Sequence, residues 1–512
     1  MLRWIQLLLV AGVSASTTLP LSAAPGEPFS KLPQEKQRQI RESVAPPPLA
    51  ERSGPYSTPM YYLMYAGYEY QGDLDKDPQK RTYPKKTAGQ EGPDYGHWKL
   101  DENKPHWQEA MVKNWAELGL NNTHLNIYPR DASLQLSPDY RRAIEQYVRL
   151  SKQYGLKVGV RLDALGGYKA WEMNPDNPQN QINQYLGFVN AVATILKGEA
   201  AYYVLGDELT LHEAKPDLPA EQWTPEKYLA YFKQVAGVIR QIDPHVPISM
   251  FAASSGEWFN VLYLLKHGYA DYGNAVAINH YDYRVAPKFF AEAAELAPGL
   301  SFLSNGVGYV SNGNVEPRYP QGDPYTRHPS EEAHANEIAK HMFAWWDLGA
   351  ATAPYYISLR NWVIDGKVYP RWFGFFGFED FVVDTAADTL TVRRYPGWHA
   401  YRTITHTFYD REEFKNPSFE VSSSAELSMF RAYEHQAAKA SELLLMLWNN
   451  SKDPVKTDIT IASSDYRYPV RVSTLDHEHW SDLPYDMSSG GLKLKVEVSS
   501  APMIVRLVKV PQ

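Results

Sequence analysis

The chain has 512 residues, which suits one large domain joined to a small one. Its formal charge of -8 and the lack of any Lys/Arg-rich run argue against a nucleic-acid partner. Hydrophobic residues make up 44% and charged residues 21%, an ordinary balance for a globular protein that argues against global disorder. Because the sequence contains no cysteine, disulfides, thiolate metal sites and a cysteine nucleophile are excluded.

The first residues have the pattern of a secretory signal. Arg3 precedes an apolar run over residues 5–13, and small residues follow at 14–16 and 22–24. We therefore expect a signal peptide over residues 1–24 and a secreted or periplasmic protein. The apolar run is too short to span a bilayer, so no stable membrane insertion is expected. A single N-terminal membrane anchor is the alternative.

Residues 25–55 are rich in proline and charge, which predicts a linker or a surface strap. The chain then alternates apolar β-type runs with helical patterns, as in a parallel sheet with crossover helices. The eight predicted strands are residues 60–64, 123–127, 157–161, 201–205, 247–251, 275–279, 300–304 and 353–358. The predicted helices are residues 107–118, 139–154, 183–196, 225–242 and 330–348.

Eight such units over residues 56–410 predict an α/β fold, a (β/α)8 TIM barrel. A doubly wound open sheet is the alternative, but no Gly-rich phosphate loop follows the first strand. Residues 411–512 instead hold short β-type runs separated by turn residues such as Asn449-Asn450 and Gly490-Gly491. This second pattern predicts a small C-terminal antiparallel β-sandwich.

In a TIM barrel the active site lies at the carboxyl ends of the strands, so the polar residues that end each strand are the candidates. The fourth strand runs directly into Asp207 and Glu208. Carboxylates at the end of a buried strand cost free energy unless they are paired or used. Glu208 is the best candidate for a general acid, because aromatic walls would favour its protonated form. The alternative is a helix N-cap or a salt-bridged pair.

The other strand ends carry further candidates. Asp282 follows the sixth strand and is a second catalytic candidate, as is Asp207. The predicted substrate-binding residues are Tyr65, Tyr128, Asp163, His280, Tyr281, Asn305, Arg360 and Trp362. The chain has 14 Trp and 36 Tyr, and aromatic faces pack well against sugar rings. For any one aromatic residue, bulk in a large core is the competing explanation.

The order of these features resembles the clan of retaining glycoside hydrolases built on (β/α)8 barrels, from about residue 56 to the C-terminus. In that clan the fourth strand ends in an Asn-Glu pair whose Glu is the acid/base, and the matching pair here is Asp207-Glu208. The His280-Tyr281 pair after the sixth strand is also similar. The segment 394–398, followed by a sandwich, is similar to members with a C-terminal β-domain. The resemblance implies a carbohydrate substrate.

The seventh strand departs from that pattern. Clan members carry a nucleophilic Glu there, usually two residues before a Gly, whereas this chain has Ser304-Asn305-Gly306. A retaining mechanism with carboxylates about 5–5.5 Å apart is therefore unsupported. Three explanations stay open: an inverting or altered hydrolase, a pseudoenzyme that only binds glycans, or a different register of the seventh strand. For a hydrolase the second carboxylate would be Asp282, Asp163, Asp207 or Glu316.

Other chemistries have little support in the sequence. His280 and Asp282 form an i, i+2 pair, but no HExxH pattern or comparable ligand spacing appears, so we expect no metal and no cofactor. No G-x-S-x-G elbow follows a strand, which argues against a serine hydrolase. The sugar, its linkage and the oligomeric state are left open.

Overall fold

A computed structural model describes residues 24–52, 54, 56, 105–127, 129, 134–162, 178–206, 225–254, 258–279, 286–306, 330–351, 358–370, 377–437, 440–451 and 453–509. An N-terminal strap contains strand β1 (Ala24–Pro25) and helix α1 (Gln34–Ser43). β1 pairs with a strand of the C-terminal sandwich, and the buried side chains of Phe29 and Leu32 pack against Val470. The strap is therefore part of the sandwich side of the molecule.

The first half of the barrel alternates helices and strands in the predicted order. Its elements are α2 (Pro105–Leu118), β2 (Asn122–Ile127), α3 (Pro138–Gln153), β3 (Lys157–Leu162), α4 (Pro178–Ile195) and β4 (Ala200–Leu205). Helix α3 shows why these segments fold as they do. Ser137 accepts a hydrogen bond from the Tyr140 amide at 3.2 Å, Pro138 occupies the first turn, and the face carrying Ile144 and Tyr147 is buried.

The second half of the barrel continues the alternation, apart from one interrupted strand. Its elements are α5 (Pro225–Ile242), β5 (Ile248–Ser249), β6 (Ala253–Ser254), α6 (Trp258–Lys266), β7 (Ala275–Asn279), α7 (Ala286–Leu296), β8 (Ser301–Gly306) and α8 (Glu331–Asp347). The fifth strand, predicted over residues 247–251, is split into β5 and β6. The amides of Met250 and Phe251 donate to the hydroxyls of Tyr269 and Tyr228, each at 2.8 Å, instead of to a neighbouring strand.

The parallel strands lie in the order β2-β3-β4-β5-β7-β8, with β6 also paired to β7. Each strand therefore neighbours the next one along the chain, which is the order of a singly wound barrel. A doubly wound sheet would reverse its order part-way, so that alternative is wrong. The fold is a (β/α)8 barrel with a C-terminal antiparallel β domain. The first predicted strand, residues 60–64, lies outside the described residues, as does all of the eighth except Ser358.

The region after the eighth strand holds a small sheet that the sequence patterns did not predict. It contains β9 (Leu359–Ile364), β10 (Lys367–Pro370), β11 (Glu379–Asp384) and β12 (Thr389–Arg394), ordered β10-β9-β11-β12. β9 and β10 form a hairpin in which Asp365 and Gly366 both have positive φ, 49° and 81°. Two positive φ angles are the geometry of a two-residue hairpin turn. Helix α9 (Pro396–Thr407) follows.

The C-terminal region consists of two antiparallel sheets that face each other. Its strands are β13 (Phe414–Lys415), β14 (Val421–Ser423), β15 (Met429–Gln436), β16 (Ser441–Trp448), β17 (Val455–Ile461), β18 (Tyr466–Ser473), β19 (Asp476–Asp482), β20 (Tyr485–Ser488), β21 (Gly491–Val498) and β22 (Met503–Lys509). One sheet has the order β1-β20-β21-β17-β14 and the other β13-β15-β16-β22-β18-β19. Strand β16 is buried on both faces. Leu445 faces the sandwich core, whereas Leu444 and Trp448 belong to the barrel's cluster.

None of the helices in the described part of the chain is long and apolar enough to cross a membrane.

Candidate functional site at the carboxyl edge of the barrel

The carboxyl edge, where the parallel strands end, is aligned across β2, β3 and β4. Ile127 pairs with Leu162, and Leu162 pairs with Leu205, so the three strands end on one line. The residues that follow these ends in the chain are Tyr128, Asp163 and Gly206. The register thus brings Ile127, Leu162 and Leu205, after which the candidate residues follow in the chain, to one edge of the sheet.

The end of β4 is fixed by hydrogen bonds from two directions. The Tyr228 hydroxyl donates to the Leu205 carbonyl at 2.9 Å, and the Ala252 amide donates to the Gly206 carbonyl at 3.2 Å. Burial raises the pKa of Tyr228 well above its usual range, so this hydroxyl stays a neutral donor. Gly206 has φ 109°, a backbone conformation that favours glycine. The backbone directly before Asp207 and Glu208 is therefore held by two hydrogen bonds and has a positive φ at Gly206.

A polar group lies beneath this edge, on the inner face of the barrel sheet. We define the inner face by the cluster that contains Tyr202, Val204, Ala277 and Leu303. His124 contacts the Tyr202 hydroxyl through Nδ1 at 2.9 Å and the Asn126 Oδ1 through Nε2 at 3.1 Å. These three side chains are at most 3% exposed. Because the amide oxygen of Asn126 can only accept, His124 donates through Nε2 and its Nδ1 accepts from Tyr202 if the ring is neutral.

The four-stranded sheet of β9 to β12 is attached to the same edge of the barrel. Arg360 in β9 donates to both carboxylate oxygens of Glu331, at 2.7 and 3.0 Å, and Glu331 begins helix α8. At the other side, the Trp107 indole donates to the Asp388 carbonyl at 3.2 Å from the start of α2. A helix that follows a barrel strand begins at the carboxyl edge. The small sheet therefore stands beside the expected cleft.

Most of the predicted site residues lie outside the described residues. They are Glu208, Asp207, Asp282, Tyr65, Tyr128, Asp163, His280 and Tyr281. Asn305 lies in β8, and nothing of its side chain is described. Arg360 and Trp362 lie in β9, and not in a loop after the eighth strand. Trp362 is 4% exposed and packs edge-to-face on Phe381 at 5.1 Å, and Arg360 is bound to Glu331. The described ring contact of Trp362 lies within the small sheet, and the ion pair of Arg360 joins that sheet to helix α8.

The seventh strand has the position that the sequence predicted, within two residues. β8 covers Ser301–Gly306 and contains no acidic residue. The first acid after it in the chain is Glu316. A misplaced register in this strand therefore does not explain the missing nucleophile.

No group of His, Asp and Glu side chains suited to hold a metal ion occurs within the described ranges. Arg161 in β3 was not among the predicted site residues, although it is a buried cation with 1% exposure. The signal that could have found it is a lone cation in a strand whose other residues at 158–162 are apolar or glycine.

No protein-family model matches the sequence, and a comparison with curated proteins found no match. Solved structures with a similar course of the chain are glycoside hydrolases. A family 51 α-L-arabinofuranosidase from Bifidobacterium longum has a TM-score of 0.49 at 10% identity, with 91% of this chain and 97% of that chain covered. A GH39 β-xylosidase from Caulobacter crescentus has a TM-score of 0.49 at 12% identity, with 91% and 98% covered. A GH30 endoxylanase from Clostridium papyrosolvens C71 has a TM-score of 0.48 at 9% identity, with 91% and 98% covered.

Proposed function

We propose that the protein is a glycoside hydrolase that acts on a polysaccharide or an oligosaccharide, with Glu208 as its general acid. In this role Glu208 gives a proton to the leaving glycosidic oxygen. The cleft would be lined by Tyr65, Tyr128, His280 and Tyr281, whose rings suit the faces and hydroxyls of sugars. Asn305 and Asp163 would supply further polar contacts to the sugar.

The observation that carries this proposal is that hydrogen bonds fix the backbone at the end of β4. Two hydrogen bonds hold the carbonyls of Leu205 and Gly206 directly before the acid pair, at an edge where β2, β3 and β4 end in register. A general acid must be held close to its target atom, and acids that start from rigid elements meet this need better than acids on long loops.

The absence of an acid from β8 favours an inverting or altered mechanism over a retaining one. An inverting enzyme needs its second carboxylate about 6.5–9.5 Å from the first, with room for a water between them. Asp282, Asp163 and Asp207 are the candidates, and Glu316 could reach the site from the segment after β8.

A non-catalytic glycan-binding protein on the same barrel is the second candidate function. The absence of an acid from β8 favours it, because Ser304, Asn305 and Gly306 stand where a nucleophile is expected. In this case the cleft would bind a glycan and leave its linkage intact.

A panel of plant and microbial glycans, assayed for released reducing ends, separates the two functions. We expect turnover by the wild type and a loss of kcat of about 10²–10⁴-fold in Glu208→Gln, as typical for a general acid. Glu199→Gln is the matched control, since Glu199 directly precedes β4 and pairs with the exposed Lys152. It should keep full activity.

Two outcomes would count against the hydrolase. Equal activity of wild type and Glu208→Gln would remove Glu208 from the chemistry. Binding of a glycan without turnover, measured by calorimetry on the wild type, would support the binding protein instead.

A further inference from the structure

Two arginines share one indole ring where the N-terminal strap meets the sandwich. The Cζ atom of Arg41, on strap helix α1, lies 4.3 Å from the centre of the Trp480 ring, and the Cζ atom of Arg506, on β22, lies 5.1 Å from it. Arg41 also donates to the Glu478 carbonyl at 2.6 Å. The face of an aromatic ring attracts each cation, but two guanidinium groups beside the same ring repel each other.

The effect of this repulsion is seen on Arg41. Burial, followed by the like charge of Arg506, lowers the pKa of Arg41, against the opposing charges of Glu478 and Asp476. The neighbouring charge with the largest effect on Arg41 therefore has the same sign as Arg41 itself. Docking of the strap helix would cost free energy if the charge of Arg506 were not neutralised.

A buried carboxylate neutralises Arg506 from the neighbouring strand. Glu442 on β16 is 1% exposed, and its Oε2 lies 2.7 Å from Nε of Arg506, whose side chain is 8% exposed. Leu444 is the residue directly opposite Arg506 in the register, so Glu442 is its diagonal neighbour on the same face of the sheet. Because both groups are buried, water screens this ion pair little.

The second oxygen of Glu442 is held from the side of the barrel. Oε1 lies 2.9 Å from Nδ1 of His435, which stands opposite Glu442 on β15. The Nε2 atom of His435 lies 2.8 Å from the hydroxyl of Tyr409, which follows helix α9. Since a carboxylate can only accept, His435 donates through Nδ1, and a neutral ring accepts from Tyr409. The carboxylate of Glu442 is thus fixed between the barrel and Arg506.

We infer that Glu442 carries the charge on which docking of the strap helix α1 depends. Its carboxylate neutralises Arg506, so that Arg41 can lie over the same indole. Apolar contacts of Phe29 and Val44 also bind the strap to the sandwich. Loss of the negative charge would leave two unneutralised arginines at one ring and would release α1 from a sandwich that stays folded. This inference concerns the strap and not the cleft, so it is independent of the proposed function.

Hydrogen exchange of the full chain tests this dependence. Glu442→Gln keeps the shape of the side chain and removes its charge. We expect exchange in α1 to become at least about 10-fold faster than in the wild type, and exchange in β21 of the opposite sheet to change by less than about 3-fold. Equal acceleration in α1 and β21 would mean that the whole sandwich is destabilised, which would overturn the inference.

Glu434→Gln is the matched control. Glu434 lies on β15 in the same sheet as Glu442, and its carboxylate accepts from the Tyr466 hydroxyl at 2.6 Å and from the Ser418 amide at 3.1 Å. The same substitution there leaves the charge beside Arg506 in place. Exchange in α1 should match the wild type, and an acceleration equal to that of Glu442→Gln would contradict a specific role of Glu442.

A double variant separates the effect of charge from the effect of packing. In Glu442→Gln/Arg506→Gln the repulsion on Arg41 is gone, so exchange in α1 should return to within about 3-fold of the wild type. If lost packing were the cause, the double variant would expose α1 at least as much as Glu442→Gln does, and the inference would fail.

The same pair of variants decides the question if Glu442→Gln alone does not fold. The yield of folded protein then replaces exchange as the readout, because breaking one side of a buried ion pair is more damaging than removing both sides. Recovery of folded protein in Glu442→Gln/Arg506→Gln would support the inference. Failure of both variants to fold would overturn it.

Discussion

A single glycine determines how the chain leaves the fourth strand of the barrel. Gly206 has φ 109° and its carbonyl accepts from the Ala252 amide. A side chain at this position would be strained, because L-residues rarely adopt such a backbone angle. Any relaxation of that strain would move the backbone directly before Asp207 and Glu208.

We therefore predict that Gly206→Ala lowers the free energy of unfolding by about 1–2 kcal/mol and reduces kcat more than it raises KM. Gly187→Ala is the control. Gly187 lies within helix α4, a Cβ there would meet nothing within 4 Å, and alanine should stabilise the helix by up to about 1 kcal/mol. Urea denaturation of both variants measures the difference. Equal effects of the two substitutions would show that the backbone angle of Gly206 is unimportant.

Residues of the site differ in how far the sequence could predict them. The acid pair Asp207-Glu208 stands out because it directly follows an apolar run, and that run is strand β4 as expected. Arg161 does not stand out in the same way, since its burial depends on its place between β2 and β4. The ion pair of Arg360 with Glu331 could not be predicted either, because Glu331 is distant in the chain.

The small sheet of β9 to β12 is joined to the start of helix α8. Its anchor is Arg360, which binds Glu331 through two hydrogen bonds, donates to the Gly377 carbonyl at 3.1 Å and lies 4.0 Å from the centre of the Tyr395 ring. Burial lowers the pKa of Arg360, but the hydrogen bond and charge of Glu331, together with the charges of Tyr395 and Asp380, outweigh that effect and raise the pKa overall. These contacts join β9, helix α8 and the start of α9.

We predict that Arg360→Met lowers the free energy of unfolding by about 1 kcal/mol and speeds hydrogen exchange in β9 and β10. The value is modest because Glu331 is 44% exposed, so water screens the pair. Arg38→Met is the control, since Arg38 also pairs with two acids but does so on the exposed surface of α1. Its exchange pattern in β9 should match the wild type. Unchanged exchange in Arg360→Met would mean that the anchor lies elsewhere.

Elements with a strong local signal were predicted closely, and elements defined by tertiary contacts were not. Helix α5, Pro225–Ile242, and strand β7, Ala275–Asn279, have the predicted bounds, because proline and the apolar period mark them. The split of the fifth strand depends on tyrosine hydroxyls from other elements. The β9–β10 hairpin did have a local signal, the Asp365-Gly366 pair, which is typical of a two-residue turn.

At the scale of the whole molecule, the barrel and the sandwich share a contact between two half-buried histidines. His406 on α9 and His477 on β19 lie with ring centres 4.8 Å apart. Burial, followed by the charges of Arg52, His477 and Arg402, lowers the pKa of His406 to about 2. Burial and Arg402 lower the pKa of His477 to about 4, against the opposing charges of Glu478 and Asp476.

This contact predicts a loss of stability in mild acid. Both histidines have a lower pKa in the folded than in the unfolded protein, so the unfolded chain binds more protons once the pH falls below about 6.5. Stability should therefore be full above pH 6.5 and decline toward pH 4. The slope is at most about 1.4 kcal/mol per pH unit for each histidine, and less for His477, which solvent partly reaches.

Thermal unfolding of the wild type and of His406→Phe between pH 7.5 and 4.5 measures this dependence. The Tm of the variant should fall less than the Tm of the wild type over that range. The reason is that the variant lacks one of the two histidines whose pKa is lowered in the folded protein. His245→Gln changes an exposed histidine and should follow the wild-type curve. Identical slopes for all three proteins would contradict the role of the interface histidines.

The N-terminal strap gives the sandwich an unusual order of assembly. β1 pairs with β20, and the Ser30 amide donates to Asp482, across 452 residues of sequence. On a ribosome, the strap emerges before the barrel, and its partners in the sandwich emerge after the barrel. The strap can therefore dock only after the residues of the barrel have been made. A molecule whose sandwich has not formed should be recognisable by a strap that proteases can reach.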